Sequence, residues 1–408
     1  MEELMNLDKQ VQILMQGTEY GDDDLQKAMA NELHVRLKEA REENRPLRVY
    51  CGYDPTSTDL HLGHTITMRK LRQFQDLGHH VIFLIGNYTS LVGDPSDKDK
   101  LRPILTPKQV MENAETYAEQ AFKVLDREKT EILYNGDWLS KITFSELIHL
   151  ASNFTVQQFI NRDNFKNRWE KGDPIYLHET FYAIMQAYDA YAMKADVQVG
   201  GSDQLFNIIT AGRKLMTALG EKPNIGITMG ILPGTDGEIR MSKSLGNHIP
   251  INSDAEDMFG KVMSIPDKAM VIYAKLATRW QLDELDDFIR AVSEETIHPR
   301  DAKMNLAQEI TEIFYGKEQA IQARDAFIQV FQKGNLPEDI PEYSLGPGDT
   351  ILDILHNAGL VKSRGEGRRL IEQNGVRLDG ETISDQNKVI QNSGVVQVGK
   401  RRFLRIVS

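Results

Sequence analysis

The chain has 408 residues, 40% of them apolar and 26% charged, an ordinary globular composition too long for one compact core, so two or three domains are expected. Its net charge of −12 argues against uniform basic coating of nucleic acid, and no stretch approaches the ~18 consecutive apolar residues of a membrane span. The Met-Glu-Glu start does not read as a secretory signal, and the single Cys51 excludes an internal disulfide or a cysteine zinc site. The cytoplasm is the expected compartment.

Short Val/Ile/Tyr-rich runs at 48–53, 81–88, 131–134, 197–199 and 225–231 alternate with helical stretches. That pattern predicts an α/β catalytic domain over 1–252, a Rossmann-like doubly wound parallel sheet. Between the first two runs, Leu62, Ile66, Leu71, Phe74 and Leu77 recur at near-helical spacing, and Gly78 follows as a helix stop. From 253 to 334 the strand signals vanish and amphipathic stretches such as 282–292 and 302–314 predict an α-helical domain. Residues 335–349, with Pro337, Pro341 and Pro347, read as a linker. Two short helices, 351–358 and 365–374, and strands at 376–378, 395–398 and 403–407 predict a small α+β domain over 350–408. Residues 360–408 hold 10 Lys/Arg against 5 Asp/Glu, a local net of +5, and leave −17 for the rest of the chain. The tail is electrostatically distinct, as an RNA-binding module would be.

Chemistry concentrates in two motifs. The first strand runs into Asp59-Leu60-His61-Leu62-Gly63-His64 and a helix, and a helix N-terminus at the carboxyl end of a parallel strand favours phosphate. His61 and His64, three apart, share one helical face where both imidazoles can donate to phosphate oxygens. Alone, such a pair is as well read as two surface polar residues. Downstream, Arg240-Met241-Ser242-Lys243-Ser244 lies between Gly237 and Gly246, a loop able to close over a polyphosphate. Alone, it is a solvated turn.

Together and in this order, the two motifs resemble the signatures of class I aminoacyl-tRNA synthetases. The likeness narrows through Tyr50-Cys51-Gly52-Tyr53-Asp54, Gly93-Asp94-Pro95-Ser96, Asn135-Gly136-Asp137-Trp138, Tyr182 to Asp189, and Gln198-Val199-Gly200-Gly201-Ser202-Asp203-Gln204. These blocks, with His298-Pro299-Arg300-Asp301-Ala302-Lys303, are similar to those of bacterial tyrosyl-tRNA synthetases over nearly the whole chain.

The resemblance implies formation of tyrosyl-adenylate from tyrosine and ATP, then transfer of tyrosine to its tRNA. It assigns Tyr50 and Asp189 to the phenolic hydroxyl, and Tyr182, Gln186 and Asp94 to the ammonium, with Gln198 and Thr89 as neighbouring pocket positions. Tyrosyl enzymes are themselves the standard case of such selection, with roughly 10⁵-fold rejection of phenylalanine and no editing. The carboxylate of tyrosine is the nucleophile, so the protein positions and stabilises charge. Thr56 and His61 would hold the terminal phosphate, with His64 close to the nucleotide. Cys51 and Asp203 would meet the ribose, Gly63 the adenine and Gln204 the α-phosphate, while Gly52 and Asp54 complete the ATP set. Arg240 and Lys243 would arrive with the mobile loop, joined by Lys98 and Arg102. Mg²⁺ would enter with ATP, and neither a tightly bound cofactor nor a protein metal cage is expected.

Two departures from the family pattern stand out, Asp97 where glycine is common and Arg240 where lysine is. The tail resembles a small RNA-binding module named after a small-subunit ribosomal protein, with Lys362, Arg364, Arg368 and Arg369 placed to meet phosphates. A homodimer is expected by resemblance, with residues 154–165 near the contact. Three rival readings remain, namely a tryptophanyl enzyme, a nucleotidyltransferase making another adenylate, and a synthetase-derived RNA-binding protein without catalysis.

Overall fold

A computed structural model describes residues 5–55, 59–95, 106–331, 341–361, 363–399 and 402–407. The chain divides into two compact units, Met1–Arg324 and Asp325–Ser408. Among the described residues no helix is long and apolar enough to cross a membrane.

The first unit is built on five parallel strands, β1 (Arg48–Tyr53), β2 (His80–Ile85), β3 (Thr130–Tyr134), β4 (Val197–Gly201) and β5 (Ile225–Met229), in the order β3-β2-β1-β4-β5. Strands β2, β4 and β5 are buried almost end to end, as expected for a sheet covered by helices on both faces. The order reverses between β1 and β4, where Tyr50 is in register with Gln198. Such a reversal opens a crevice at the strand ends in which ligands bind.

Two strands end earlier than their apolar runs. Just past the end of β2 at Ile85, a Cβ on Gly86 would fall 2.0 Å from Asp54 Oδ1, so this glycine lets the Asp54 side chain pass. Between β1 and β2 the helix Leu62–Asp76 buries Leu62, Ile66, Leu71 and Phe74, and Gly78, at φ +83°, reverses the chain into β2. At the other end of the sheet Asp196 accepts from Arg36 Nη1 at 3.0 Å, Arg45 Nη1 at 2.8 Å and the Arg48 backbone N–H at 2.9 Å. This buried carboxylate pins the starts of β1 and β4 together. The helices from Ala255 onward, including Leu282–Ser293, pack within the first unit up to Arg324. Pro299–Phe331 is broken at Gly316, whose φ of 81° is not helical.

The second unit has a mixed sheet in the order β6-β10-β9-β7-β8, from β6 (Glu342–Ser344), β7 (Val376–Leu378), β8 (Glu381–Thr382), β9 (Gly394–Val398) and β10 (Arg402–Val407). Helices Ile351–Asn357 and Arg364–Glu372 complete the core with Ile351, Leu355, Val376, Val396, Leu404 and Ile406. The region read from sequence as a linker therefore contains a strand, since β6 pairs in parallel with β10. Polar bonds hold it, with the Tyr343 hydroxyl donating to Asp349 Oδ2 at 2.9 Å and the Gly346 N–H donating to the same oxygen at 2.8 Å. Side-chain hydrogen bonds of this kind leave no hydrophobic period to read.

Candidate active site

At the base of the crevice Tyr50 is fully buried and its hydroxyl has no hydrogen-bond partner among the described residues. Burial, with the Asp189 carboxyl nearby as the next cause, pushes that phenol well above its ordinary range. Asp189, on the helix Leu177–Ala192, is 2% exposed. It accepts from Trp138 Nε1 at 2.7 Å and from Asn135 Nδ2 at 3.2 Å. Burial outweighs both donors and lifts the Asp189 carboxyl to about 8. A buried orphan hydroxyl beside a two-oxygen acceptor is what one further hydroxyl from a ligand would complete.

Above this pair, Asp54 ties the walls together. Its Oδ1 accepts from Thr89 Oγ1 at 2.7 Å and its Oδ2 from the Tyr182 hydroxyl at 3.0 Å. With its hydroxyl hydrogen directed at Asp54, the Tyr182 oxygen retains lone pairs that can accept from an ammonium. Sequence reading places Asp54 with ATP; the structure binds its side chain into the wall that carries Thr89 and Tyr182. Asn135 Nδ2 reaches Thr89 Oγ1 at 3.0 Å, so Thr89 is fixed from two sides.

A second chain of bonds joins Asp94 to Gln186. Gln204 Nε2 donates to Asp94 Oδ2 at 2.5 Å, and Asn207 Nδ2 donates to Gln204 Oε1 and Gln186 Oε1, each at 2.9 Å. Asn207 is fully buried in a π-helical stretch, Phe206–Gly212, a wide turn common beside functional sites. Gln198 is also buried, and its Oε1 accepts from Asn224 Nδ2 at 3.0 Å.

On the nucleotide side His61 begins the helix Leu62–Asp76, and its backbone N–H donates to His64 Nδ1 at 3.2 Å. This leaves the His64 proton on Nε2. Burial first, then the neighbouring His64, His248 and Arg240, drive the His61 imidazole down to about 2, so it stays neutral. The two rings lie 3.8 Å apart. A Cβ on Gly63 would come within 3.1 Å of the His61 ring, so glycine here makes room for that ring. Cys51 is buried and its thiol is lifted to about 11, chiefly by burial. Gly52 is open to solvent, with Leu84 Cδ2 the nearest atom to an added Cβ at 3.7 Å.

The loop carrying Arg240 and Lys243 lies against this side. Lys243 Nζ is 2.5 Å from Asp59 Oδ2, and Arg240 Nη1 is 3.3 Å from Asp203 Oδ2. Past the loop, the Leu62 N–H donates to the Ile249 carbonyl at 2.8 Å, fastening the chain to the histidine motif. Asn247 organises the loop by accepting from the Ser242 N–H at 2.8 Å and donating to Asp236 Oδ2 at 2.5 Å. Thr56, Lys98, Arg102, Asp97 and Lys362 lie outside the described residues.

Residues 42–332 match the family described as tRNA synthetases class I (W and Y), and residues 350–396 match the S4 domain. The chain belongs to the class I tRNA synthetases of the tryptophan and tyrosine type. It is 46% identical over 362 residues to a tyrosine--tRNA ligase of Thermotoga maritima, covering 88% of this chain and 90% of that one. It is 44% identical to that of Oleidesulfovibrio alaskensis, covering 99% of this chain and all of the other. Among solved structures, a C-terminally truncated Aspergillus nidulans mitochondrial tyrosyl-tRNA synthetase overlays with a TM-score of 0.62 at 24% identity, covering 80% of this chain and 94% of that one. The Archaeoglobus fulgidus tyrosyl-tRNA synthetase complexed with L-tyrosine overlays at 0.60 and 19% identity, covering 78% of this chain and all of that one. At these identities the overlays speak to the fold alone.

Within this class I synthetase, sequence reading gave no role to Trp138, Asn135, Asn207 or Arg162. The first two stand in a block quoted for its family likeness, which was the available signal; Asn207 and Arg162 carried none. In the S4 domain Arg368 and Arg369 are exposed, whereas Arg364 Nη2 is bonded to Asp353 Oδ1 at 2.7 Å. Gly367 permits close helix packing there, since an added Cβ would lie 2.7 Å from Leu352 Cδ1.

Proposed function

We propose that this chain is a tyrosine-tRNA ligase, which joins tyrosine to ATP and passes it to the 3′ end of its tRNA. The observation that carries the choice of amino acid is the orphan Tyr50 hydroxyl beside the doubly held Asp189. A phenolic hydroxyl meets both groups, and phenylalanine leaves the Tyr50 hydroxyl without a partner at the bottom of the pocket. An indole N–H cannot accept from Tyr50, so this pair supports tyrosine over tryptophan.

Each step balances without an enzymic nucleophile. A carboxylate oxygen of tyrosine attacks the α-phosphorus, the bond to pyrophosphate breaks, and a terminal ribose hydroxyl of the tRNA then attacks the adenylate carbonyl with AMP as leaving group. Asp94, Tyr182 and Gln186 would hold the ammonium, His61, His64 and Thr56 the polyphosphate, Cys51, Gly52, Gly63, Asp203 and Gln204 the nucleoside end and α-phosphate. Lys243 and Arg240, with Lys98 and Arg102, would meet charge as it builds in the transition state. ATP would enter as its Mg²⁺ complex.

The net charge of +5 in the tail supports an RNA contact through Lys362, Arg364, Arg368 and Arg369. A homodimer is part of the same proposal. Its contact is placed near residues 154–165, where Val156 is an exposed apolar residue. Work in the cytoplasm follows from the substrates. The test is exchange of labelled pyrophosphate into ATP with each amino acid. Exchange with tyrosine is expected, and exchange with tryptophan alone would overturn the assignment.

A further inference from the structure

Arg162 stands at the start of the helix Asp163–Lys171 with a side chain only 5% exposed. Its guanidinium carbon lies 5.6 Å from the ring centres of both Phe165 and Phe206, and its Nη2 is 3.5 Å from Asp94 Oδ1. The other oxygen of that carboxylate, Oδ2, takes the Gln204 amide, which Asn207 fixes in turn. Asp94 is thus gripped on both oxygens by groups that are themselves packed. Burying a guanidinium in an aromatic collar is costly and offers the fold little that an apolar residue would not. Its placement makes sense through the pocket's charge. Asp94 is the pocket's acceptor for a cation, and an ammonium meets it well only where the carboxylate is held in one orientation.

We infer that Arg162 is a positioning residue for the amino group of the substrate, acting through Asp94. It fixes the carboxylate's orientation, so that the ammonium is received on Asp94 in one geometry and the neighbouring substrate carboxylate is left to attack. This rests on tyrosine being the substrate.

The experiment compares binding of three ligands without ATP, namely tyrosine, tyramine, which lacks the carboxylate, and 3-(4-hydroxyphenyl)propionate, which lacks the ammonium. The wild type, Arg162→Gln and Arg162→Lys are measured by calorimetry, with thermal melts reporting folding. Arg162→Gln should weaken tyrosine and tyramine by roughly tenfold or more and leave the propionate within about twofold, and Arg162→Lys should recover part of that loss. An equal loss for all three ligands would make Arg162 merely structural, and a loss confined to tyrosine and the propionate would make it a direct carboxylate contact; either overturns the inference. If Arg162→Gln does not fold, Arg162→Lys carries the test with the same selective pattern at smaller amplitude. Failure of the wild type to bind tyrosine would instead overturn the substrate reading.

Discussion

Trp138 Nε1 donates to Asp189 Oδ1 at 2.7 Å across 51 residues of sequence. The indole, with Asn135 Nδ2 on the second oxygen at 3.2 Å, therefore sets the direction in which the carboxyl meets a ligand hydroxyl. Replacing Trp138 by Phe removes the donor while keeping an aromatic ring. Tyrosine activation should fall by about 1.5–3 kcal/mol in kcat/KM, the usual worth of a hydrogen bond to a charged group, while phenylalanine activation should change little. Pyrophosphate exchange with both amino acids checks this. Equal losses for the two would show that Trp138 only packs.

The raised carboxyl of Asp189 gives a pH dependence with a definite sign. Burial lifts it to about 8, above its unfolded value of 3.8, so the folded ligand-free protein keeps a proton that the unfolded chain releases between those values. This group's contribution to stability is therefore greatest at acid pH and declines as pH rises through that window. A phenol donating to the carboxylate favours the deprotonated form. Tyrosine should bind more tightly as pH rises towards 8, with proton release below it, and Asp189→Asn should abolish that release. Calorimetry in buffers of different ionisation enthalpy reads the proton directly.

Lys243 rests on Asp59, and both side chains are about half exposed. An exposed pair is worth only about 0–1 kcal/mol, so the loop can leave this contact easily. Lys243→Ala should slow adenylate formation by about 2–4 kcal/mol, as loss of a transition-state charge contact does, with little change in tyrosine affinity. Asp59→Asn should leave the melting temperature within a degree or two, roughly what a fraction of a kcal/mol produces in a chain of this size. Single-turnover rates and a thermal scan decide the two halves. A wild-type single-turnover rate in Lys243→Ala would remove that residue from the reaction.

The strand Glu342–Ser344 belongs to the C-terminal sheet, so a truncation intended to spare the first unit should end at 331 rather than within that strand. A chain of residues 1–331 should still form tyrosyl-adenylate but charge tRNA poorly. Its residual tRNA affinity should show a shallower salt dependence, because cationic contacts have been lost. An unchanged slope would mean that the tail does not touch RNA.

At the opposite end of the sheet from the site, Asp196 is held low despite burial, because the Arg45 bond leads a set that includes the Arg48 backbone and Arg36. Its stabilisation is present above the unfolded carboxylate value and is lost as pH falls through the depressed one. Asp196→Ala leaves buried Arg36 without this partner and should cost about 3–5 kcal/mol of stability, measured by urea unfolding at neutral pH.

The sequence alone determined the place of the five parallel strands, the two motifs at 59–64 and 240–244, the face shared by Tyr182 and Asp189, and the charge contrast of the tail. Each is local, because strand and helix periods repeat within a few residues and a charge count needs no coordinates. What the tertiary structure decided is long-range. Asp54 bonds Thr89 and Tyr182, Trp138 and Asn135 hold Asp189, and Arg162 reaches Asp94 across 68 residues. Strand β6 formed on polar bonds inside an expected linker. Hydrogen bonds between distant residues and the dielectric of a closed pocket depend on which chain segments fold together, and neither leaves a period in the sequence.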